Sequence, residues 1–202
     1  MEVIKIKNFA DKEAINKAVE YLKEGKVIAY PTETVYGLGC DATDSKAVDK
    51  IYKIKGKSEK KALLFLVSNI KMASEYVILC KNAKKIAKKY WPGALSLILP
   101  LTDKGKKIFK RKDGGVRISS NEIATEIVKK FKKPIISTSA NPTGLPSALT
   151  AKEVSKYFKD EKYKPDLILD GGRLKKSKGS TIVNLTKDEP ELIREGDIFI
   201  KI

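Results

Sequence analysis

The feature that most restricts this chain is a near-continuous alternation of short apolar runs with segments of helical period. Residues 2–6 alternate apolar and charged side chains, the period of a strand. Asp11 stands where a helix N-cap belongs, ahead of a stripe at Ala14, Ile15, Ala18, Val19 and Leu22 that ends at Gly25. Residues 27–30 read as a strand running into the loop PTETVYGLG (31–39), and Asp44 opens a helix with Ala47, Val48, Ile51 and Ile54 on one face. The run ALLFLV from Ala62 and the run LSLIL (95–99) read as buried strands, with a helix over 82–90 between them that stops before Pro92 and Gly93. Residues 102–115 read as a basic, glycine-bearing loop, followed by a strand at 116–119, a helix at 122–131 and a strand at 134–138. Thr150 and Glu153 form a capping-box pattern for another helix, and strands are expected near Leu167, over 181–185, near Leu192 and near Ile198. This alternation predicts an α/β fold, a twisted open mixed sheet with flanking helices, in one domain over 1–202. The strand order is not legible in it.

Chemistry is narrowed by what is missing. The chain has no histidine, and its two cysteines, Cys40 and Cys80, lie far apart, so zinc sites and Ser-His or Cys-His nucleophiles are excluded. Hydroxyls, Lys, Arg, carboxylates, backbone amides or an oxygen-ligated metal must carry any reaction. No apolar run is long enough to span a bilayer, and the start MEVIKIKNF lacks a secretory apolar core, so a cytoplasmic location without membrane contact is expected.

The net charge of +17 points to anionic partners, nucleotide or nucleic acid, although Lys and Glu enrichment is also how heat-stable proteins build their surfaces. Only four arginines occur, at 111, 117, 173 and 194. Where lysine is used almost everywhere, an arginine marks a place that wants a planar, bidentate donor. Arg117 and Arg194 rank first, each in or after a strand-like segment beside glycine; Arg111 reads as a solvated loop charge.

Three strand-following loops share one composition, small hydroxyls with glycine and proline: PTETVYGLG (31–39), STSANPTGLPSA (137–148) and DGGRLKKSKGSTI (170–182). Such loops offer donors to phosphate or carboxylate oxygens without bulk, at the strand ends where open α/β sheets bind ligands. The segment KIKGKSEKKAL (53–63) sets several ammonium groups before a strand, as a triphosphate requires, but lacks the spacing of a Walker A loop.

From PTETVYGLG onward the chain resembles the YrdC-like family, the threonylcarbamoyl-AMP synthases. The resemblance runs in order through YPTETVYGLGCDA, IYKIKGKSEKKALLFLV, YWPGALSLIL, GGVRISSNEIA, PIISTSANPTGLPSA, LILDGG, GSTIVNLT and IREGDI. It implies a concave basic site and a nucleotidyltransferase that joins ATP, bicarbonate and L-threonine into L-threonylcarbamoyladenylate, releasing pyrophosphate. Magnesium with the ATP, tRNA and a downstream threonylcarbamoyl-transferase complex are the implied cofactor and partners. It assigns Thr32, Thr34, Arg117, Ser137 and Ser180 to threonine, and Lys57, Lys61, Ser139, Asn141, Ser147 and Arg194 to ATP. Lys55, Lys57 and Arg117 would be the catalytic cations. The chain ends soon after the last matched motif, so the extra C-terminal domain of longer members is expected to be absent.

The chain departs from the family pattern in places: Lys57 stands where arginine is usual, Ala62 where proline is frequent, and Leu66 and Asn121 where some members carry histidine. Two other readings stay open, a non-catalytic RNA-binding protein of the same fold and a carbamoyl-adenylate-forming relative. Gly105 and Gly114, flanking the basic loop, would permit a lid.

Overall fold

In the computed structural model, which describes residues 1–56, 64–187 and 189–201, Asp11 caps helix α1 (Lys12–Lys23) by accepting from the Ala14 N–H at 3.2 Å. All five stripe residues of α1 are buried, and they share one apolar cluster with α6 (Glu122–Phe131). This is the expected outcome of an apolar face at period 3.6.

These helices cover one face of a 10-stranded sheet. Its strands are β1 (Glu2–Lys5), β2 (Ile28–Tyr30), β3 (Gly37–Gly39), β4 (Leu64–Leu66), β5 (Leu95–Pro100), β6 (Asp113–Arg117), β7 (Ile135–Ser139), β8 (Leu167–Asp170), β9 (Thr181–Asn184) and β10 (Glu191–Arg194). They lie in the order β1-β8-β2-β3-β7-β4-β6-β5-β9-β10. The pairs β1/β8, β8/β2, β4/β6 and β5/β9 are parallel and the rest antiparallel, so the sheet is mixed, as expected. The opposite face is covered by α2 (Ser45–Ile54), α3 (Ile70–Tyr76), α4 (Lys81–Tyr90), α5 (Asp103–Phe109) and α7 (Ala151–Phe158). Strand side chains alternate between the two cores: Ile28 and Tyr30 face α1 and α6, whereas Ala29 between them faces the other layer.

Three features differ from the sequence reading. Gly37–Gly39, taken as loop, is a strand between β2 and β7. Its residues carry too little side chain to display a strand pattern, and their smallness is what the packing uses. A Cβ on Gly39 would lie 2.7 Å from the Tyr30 ring, which lies across this strand.

The basic loop at 102–115 holds helix α5 and the start of β6, and the preceding region holds α3. Thr102 caps α5 through the Gly105 N–H at 3.1 Å, while Ile108 and Phe109 pack on the core and the lysines face outward. Gly105 and Gly114 therefore sit inside packed elements, not at the hinges of a lid. No strand forms at Ile198; instead the hydroxyl of Thr181 holds that stretch, accepting from the Ile198 N–H at 3.2 Å and donating to the Ile198 carbonyl at 2.6 Å.

At Gly105 a Cβ would lie 2.3 Å from the Tyr76 carbonyl oxygen. Gly105→Ala is expected to lower stability by about 1–3 kcal/mol despite alanine's better helix propensity, measured as a fall in the urea midpoint. An unchanged midpoint would mean that α5 can withdraw from α3 without cost.

Candidate active site

Sheet register assembles the site. Across neighbouring strands Gly37 is paired with Ser139, Leu64 with Ser137 and Gly115, Ser96 with Ile182, and Ile182 with Arg194. Arg117, two residues beyond Gly115, projects on the same side. This is the face that α1 and α6 cover farther along the sheet. Where their cover ends, a cavity of about 350 Å³ opens, and all of these residues except Gly115 form its floor.

The three hydroxyl-rich loops form the walls. In the first, the Thr32 hydroxyl accepts from the N–H groups of Thr34 and Val35 at 3.1 and 3.3 Å and donates to the Val35 carbonyl at 2.7 Å. This local turn brings the hydroxyls of Thr32 and Thr34 within 3.1 Å of each other at the cavity. Beneath them Tyr30, fully buried, donates to Ser137 Oγ at 2.9 Å, and burial pushes its phenol pKa upward, so it stays a neutral donor.

The second loop is sewn to the first by two backbone bonds, Ala140 N–H to the Tyr36 carbonyl and Tyr36 N–H to the Ala148 carbonyl. It is held from below by Lys55, the C-cap of α2, whose buried ammonium donates to the carbonyls of Ser139 and Asn141 at 2.8 and 2.7 Å. The third loop joins the first through Tyr36, which donates to the Gly172 carbonyl at 2.7 Å; burial pushes this phenol up to about 12. Farther along, Asp197 holds the rim at Ser177 and Lys178, the latter through its N–H at 2.7 Å.

The two arginines ranked first in the sequence both reach the cavity. Arg194 donates from Nε and Nη2 to the Ser180 carbonyl at 2.9 and 2.7 Å, and from Nη2 to the Ser180 hydroxyl at 3.0 Å. Partial burial, then the charge of Arg117, lowers its pKa. Arg117 is almost wholly buried, with Nη1 3.5 Å from Glu33 Oε1, an ion pair too long to count as a hydrogen bond. Arg117 Nε and Glu33 Oε1 accordingly have no hydrogen-bond partner, although Ser119 donates to the other oxygen of Glu33. Arg117 nevertheless lines the cavity, and a guanidinium among hydroxyl donors suits an anionic planar group such as a carboxylate.

Of the residues singled out in the sequence, Thr32, Thr34, Arg117, Ser137, Ser139, Ser147, Ser180 and Arg194 line this one cavity. Lys55 and Asn141 are buried in the support of the second loop, and neither is among the lining residues. Lys57 and Lys61 lie outside the described residues.

Sequence reasoning missed Glu33, Ser96 and Lys178. Ser96, which donates to Ser180 at 2.9 Å, was signalled by being the one polar residue inside LSLIL. Glu33 was the single acid in the first loop, a visible oddity in an otherwise neutral stretch.

Glu33→Ala would leave the Arg117 charge buried without its counter-ion. We expect a loss of roughly 3 kcal/mol in chemical unfolding, with the double variant Glu33→Ala/Arg117→Ala losing clearly less than the sum of the singles. Additive losses would show that the two side chains are not coupled.

Residues 20–196 match the Sua5/YciO/YrdC family model, described as "Telomere recombination". A protein of Pyrococcus abyssi named threonylcarbamoyl-AMP synthase is 33% identical over 97% of this chain, and the chain spans 58% of that relative's length. The crystal structure of P. abyssi Sua5 complexed with L-threonine superposes with a TM-score of 0.89 at 32% identity, covering 97% of this chain and 58% of that one. The Escherichia coli YciO structure gives a TM-score of 0.84 at 30% identity, covering 97% of this chain and 95% of that one.

Proposed function

This chain belongs to the Sua5/YciO/YrdC family, and from that premise we propose that it makes L-threonylcarbamoyladenylate and pyrophosphate from ATP, bicarbonate and L-threonine, for threonylcarbamoyladenosine modification of tRNA. The observation that carries the reading is the guanidinium of Arg117 lining one cavity together with the hydroxyls of Thr32, Thr34, Ser137 and Ser180. That donor set suits the carboxylate and hydroxyl of a small amino acid, and a relative of this chain has been crystallised with L-threonine.

In this reading the threonine amine attacks bicarbonate, losing water to give a carbamate, whose oxygen attacks the α-phosphorus of ATP as pyrophosphate leaves. Arg117 holds the carboxylate or carbamate, and Thr32, Thr34, Ser137 and Ser180 fix the amino acid around it. Ser139, Ser147 and Arg194 face the nucleotide, with Asn141 and Lys55 keeping their loop in place. Lys57 and Lys61 are assigned to the phosphates. No covalent enzyme intermediate is required: catalysis comes from positioning, fixed cations and exclusion of water from a labile carbamate.

Magnesium fits here only as a companion of the triphosphate. Among the described residues no group of three acidic, cysteine or histidine side chains gathers to hold it, and Glu33 already meets Arg117 and Ser119. Such an ion commonly keeps its waters and binds through substrate phosphates, so no step above runs through a protein-held metal. The product would pass to a threonylcarbamoyl-transferase complex acting on tRNA in the cytoplasm; no helix among the described residues is long and apolar enough to cross a membrane.

Pyrophosphate release should require ATP, bicarbonate and threonine together, with mass spectrometry identifying the threonylcarbamoyl adenylate. Arg117→Lys should raise the threonine concentration for half-maximal rate about 10- to 100-fold, the worth of charge-assisted hydrogen bonds. No turnover, or turnover indifferent to threonine, would overturn the reading.

A further inference from the structure

Far from the cavity floor, helix α4 is built against its own electrostatics. Its sequence KNAKKIAKKY places lysines at 81, 84, 85, 88 and 89, all exposed, and it is the one helix among the described residues without an acidic side chain. Three pairs, 81/85, 84/88 and 85/89, stand four residues apart, where like charges repel. Lys81 and Lys84 lie in the first turn, where the helix dipole disfavours a cation, and the N-cap is the weak acceptor Cys80, whose Sγ takes the Ala83 N–H at 3.4 Å. Among the described residues no ion pair relieves any of these lysines. The last turn alone would suit lysines; the whole helix does not.

The shape beside the helix supplies the second observation. Two clefts of about 340 and 310 Å³ run between α4 and the chain at 185–201, and both include Asn82. Their lining brings Lys187 and Lys201 opposite Lys81, Lys85 and Lys89, and among the described residues it contains no carboxylate. Successive lysines at four-residue spacing stand about 6 Å apart along the axis. At one end the half-buried Tyr90 lines the cleft, with the Lys89 ammonium 5.1 Å from its ring centre. The apolar residues Ala83 and Ala87 are turned into the core, which leaves no apolar stripe for a membrane surface.

We propose that these two clefts form one basic groove that binds a single strand of nucleic acid, its phosphates on the lysines and a base against Tyr90. A cationic track with an interleaved aromatic ring is how sequence-tolerant single-strand sites are made, and the strand's charge offsets the repulsion stored along α4. The groove is separate from the cavity, and the inference stands whether or not the reaction proposed above is correct.

The test is fluorescence anisotropy of a labelled 15-nucleotide RNA, and of DNA of the same sequence, across a salt series. Removing Lys81, Lys85 and Lys89 together (each to Ala) should reduce the slope of log affinity against log salt by about 2, since each contact to a single strand contributes about 0.7. Alanine favours the helix, so the variant should melt no lower than the parent, and its pyrophosphate release should be unchanged. Tyr90→Leu should weaken binding about tenfold, as loss of one stacked base does. Equal binding of RNA and DNA assigns the contacts to backbone and ring, and tighter RNA binding assigns part of them to the 2′-hydroxyl; both uphold the groove. Three outcomes would overturn it: an unchanged slope in the triple variant, an equal loss in Lys7→Ala/Lys12→Ala/Lys23→Ala, or inorganic polyphosphate competing charge for charge with Tyr90 immaterial.

Discussion

Everything at the cavity depends on sheet register. Because strand side chains alternate, Ser96, Arg117, Ser137 and Ile182 share one face only while β7, β4, β6, β5 and β9 hold their pairing, and Arg194 joins them through a register shift in β10 between Leu192 and Arg194. A one-residue slip of β7 would turn Ser137 into the α2 layer and bring Ile136 out into the cavity. The pairing is enforced by what lies on each side: Phe65 and Ile136 belong to one core, Leu66 and Ile135 to the other. Burial of four large side chains thus fixes the position of a hydroxyl and a guanidinium. The energy comes from the core, and the cavity inherits its geometry.

That dependence explains which parts of the fold were legible. Amphipathic helices such as α1 and α6 carry their own period, and their caps, Asp11 and Asn121, occupy the positions where the unsatisfied N–H groups need them. Strand β3 carries no such sign. Its glycines form a strand because β2 and β7 offer partners on both sides and because Tyr30 needs the space, and both reasons lie outside the segment. Helix α5 was hidden differently. Its lysines gave the stretch the look of a solvated loop, while Ile108 and Phe109, which anchor it, are too few to impose a period.

The site divides the same way. Hydroxyl-rich loops after strands were readable as walls, since their composition is local and their placement follows from the α/β alternation. What the cations do was not. Lys55 sits in a run of lysines that reads as phosphate-binding, yet its buried ammonium bonds the backbone of residues 139 and 141. Only tertiary contact distinguishes a lysine that ties loops from one that meets a ligand. Glu33 makes the converse point: its importance lies in Arg117, which is distant in sequence and brought near by the run of pairings from β3 through β7 and β4 to β6.

The large positive charge separates into two uses once the residues are located. At the cavity it is carried by two arginines in fixed directions, Arg194 held by Ser180 and Arg117 set against Glu33. A buried guanidinium fixed beside Glu33 is specific, because only an acceptor of matching shape repays the desolvation. Along α4 the charge is carried by exposed lysines on flexible stems, which tolerate many arrangements of phosphate and read none of them closely. The rarity of arginine therefore has physical meaning. Were the charge only a solvent coat, the two cations would be interchangeable across the surface. Instead two of the four arginines stand where direction matters, while the densest lysine helix stands where a long anion needs sign and spacing but little direction.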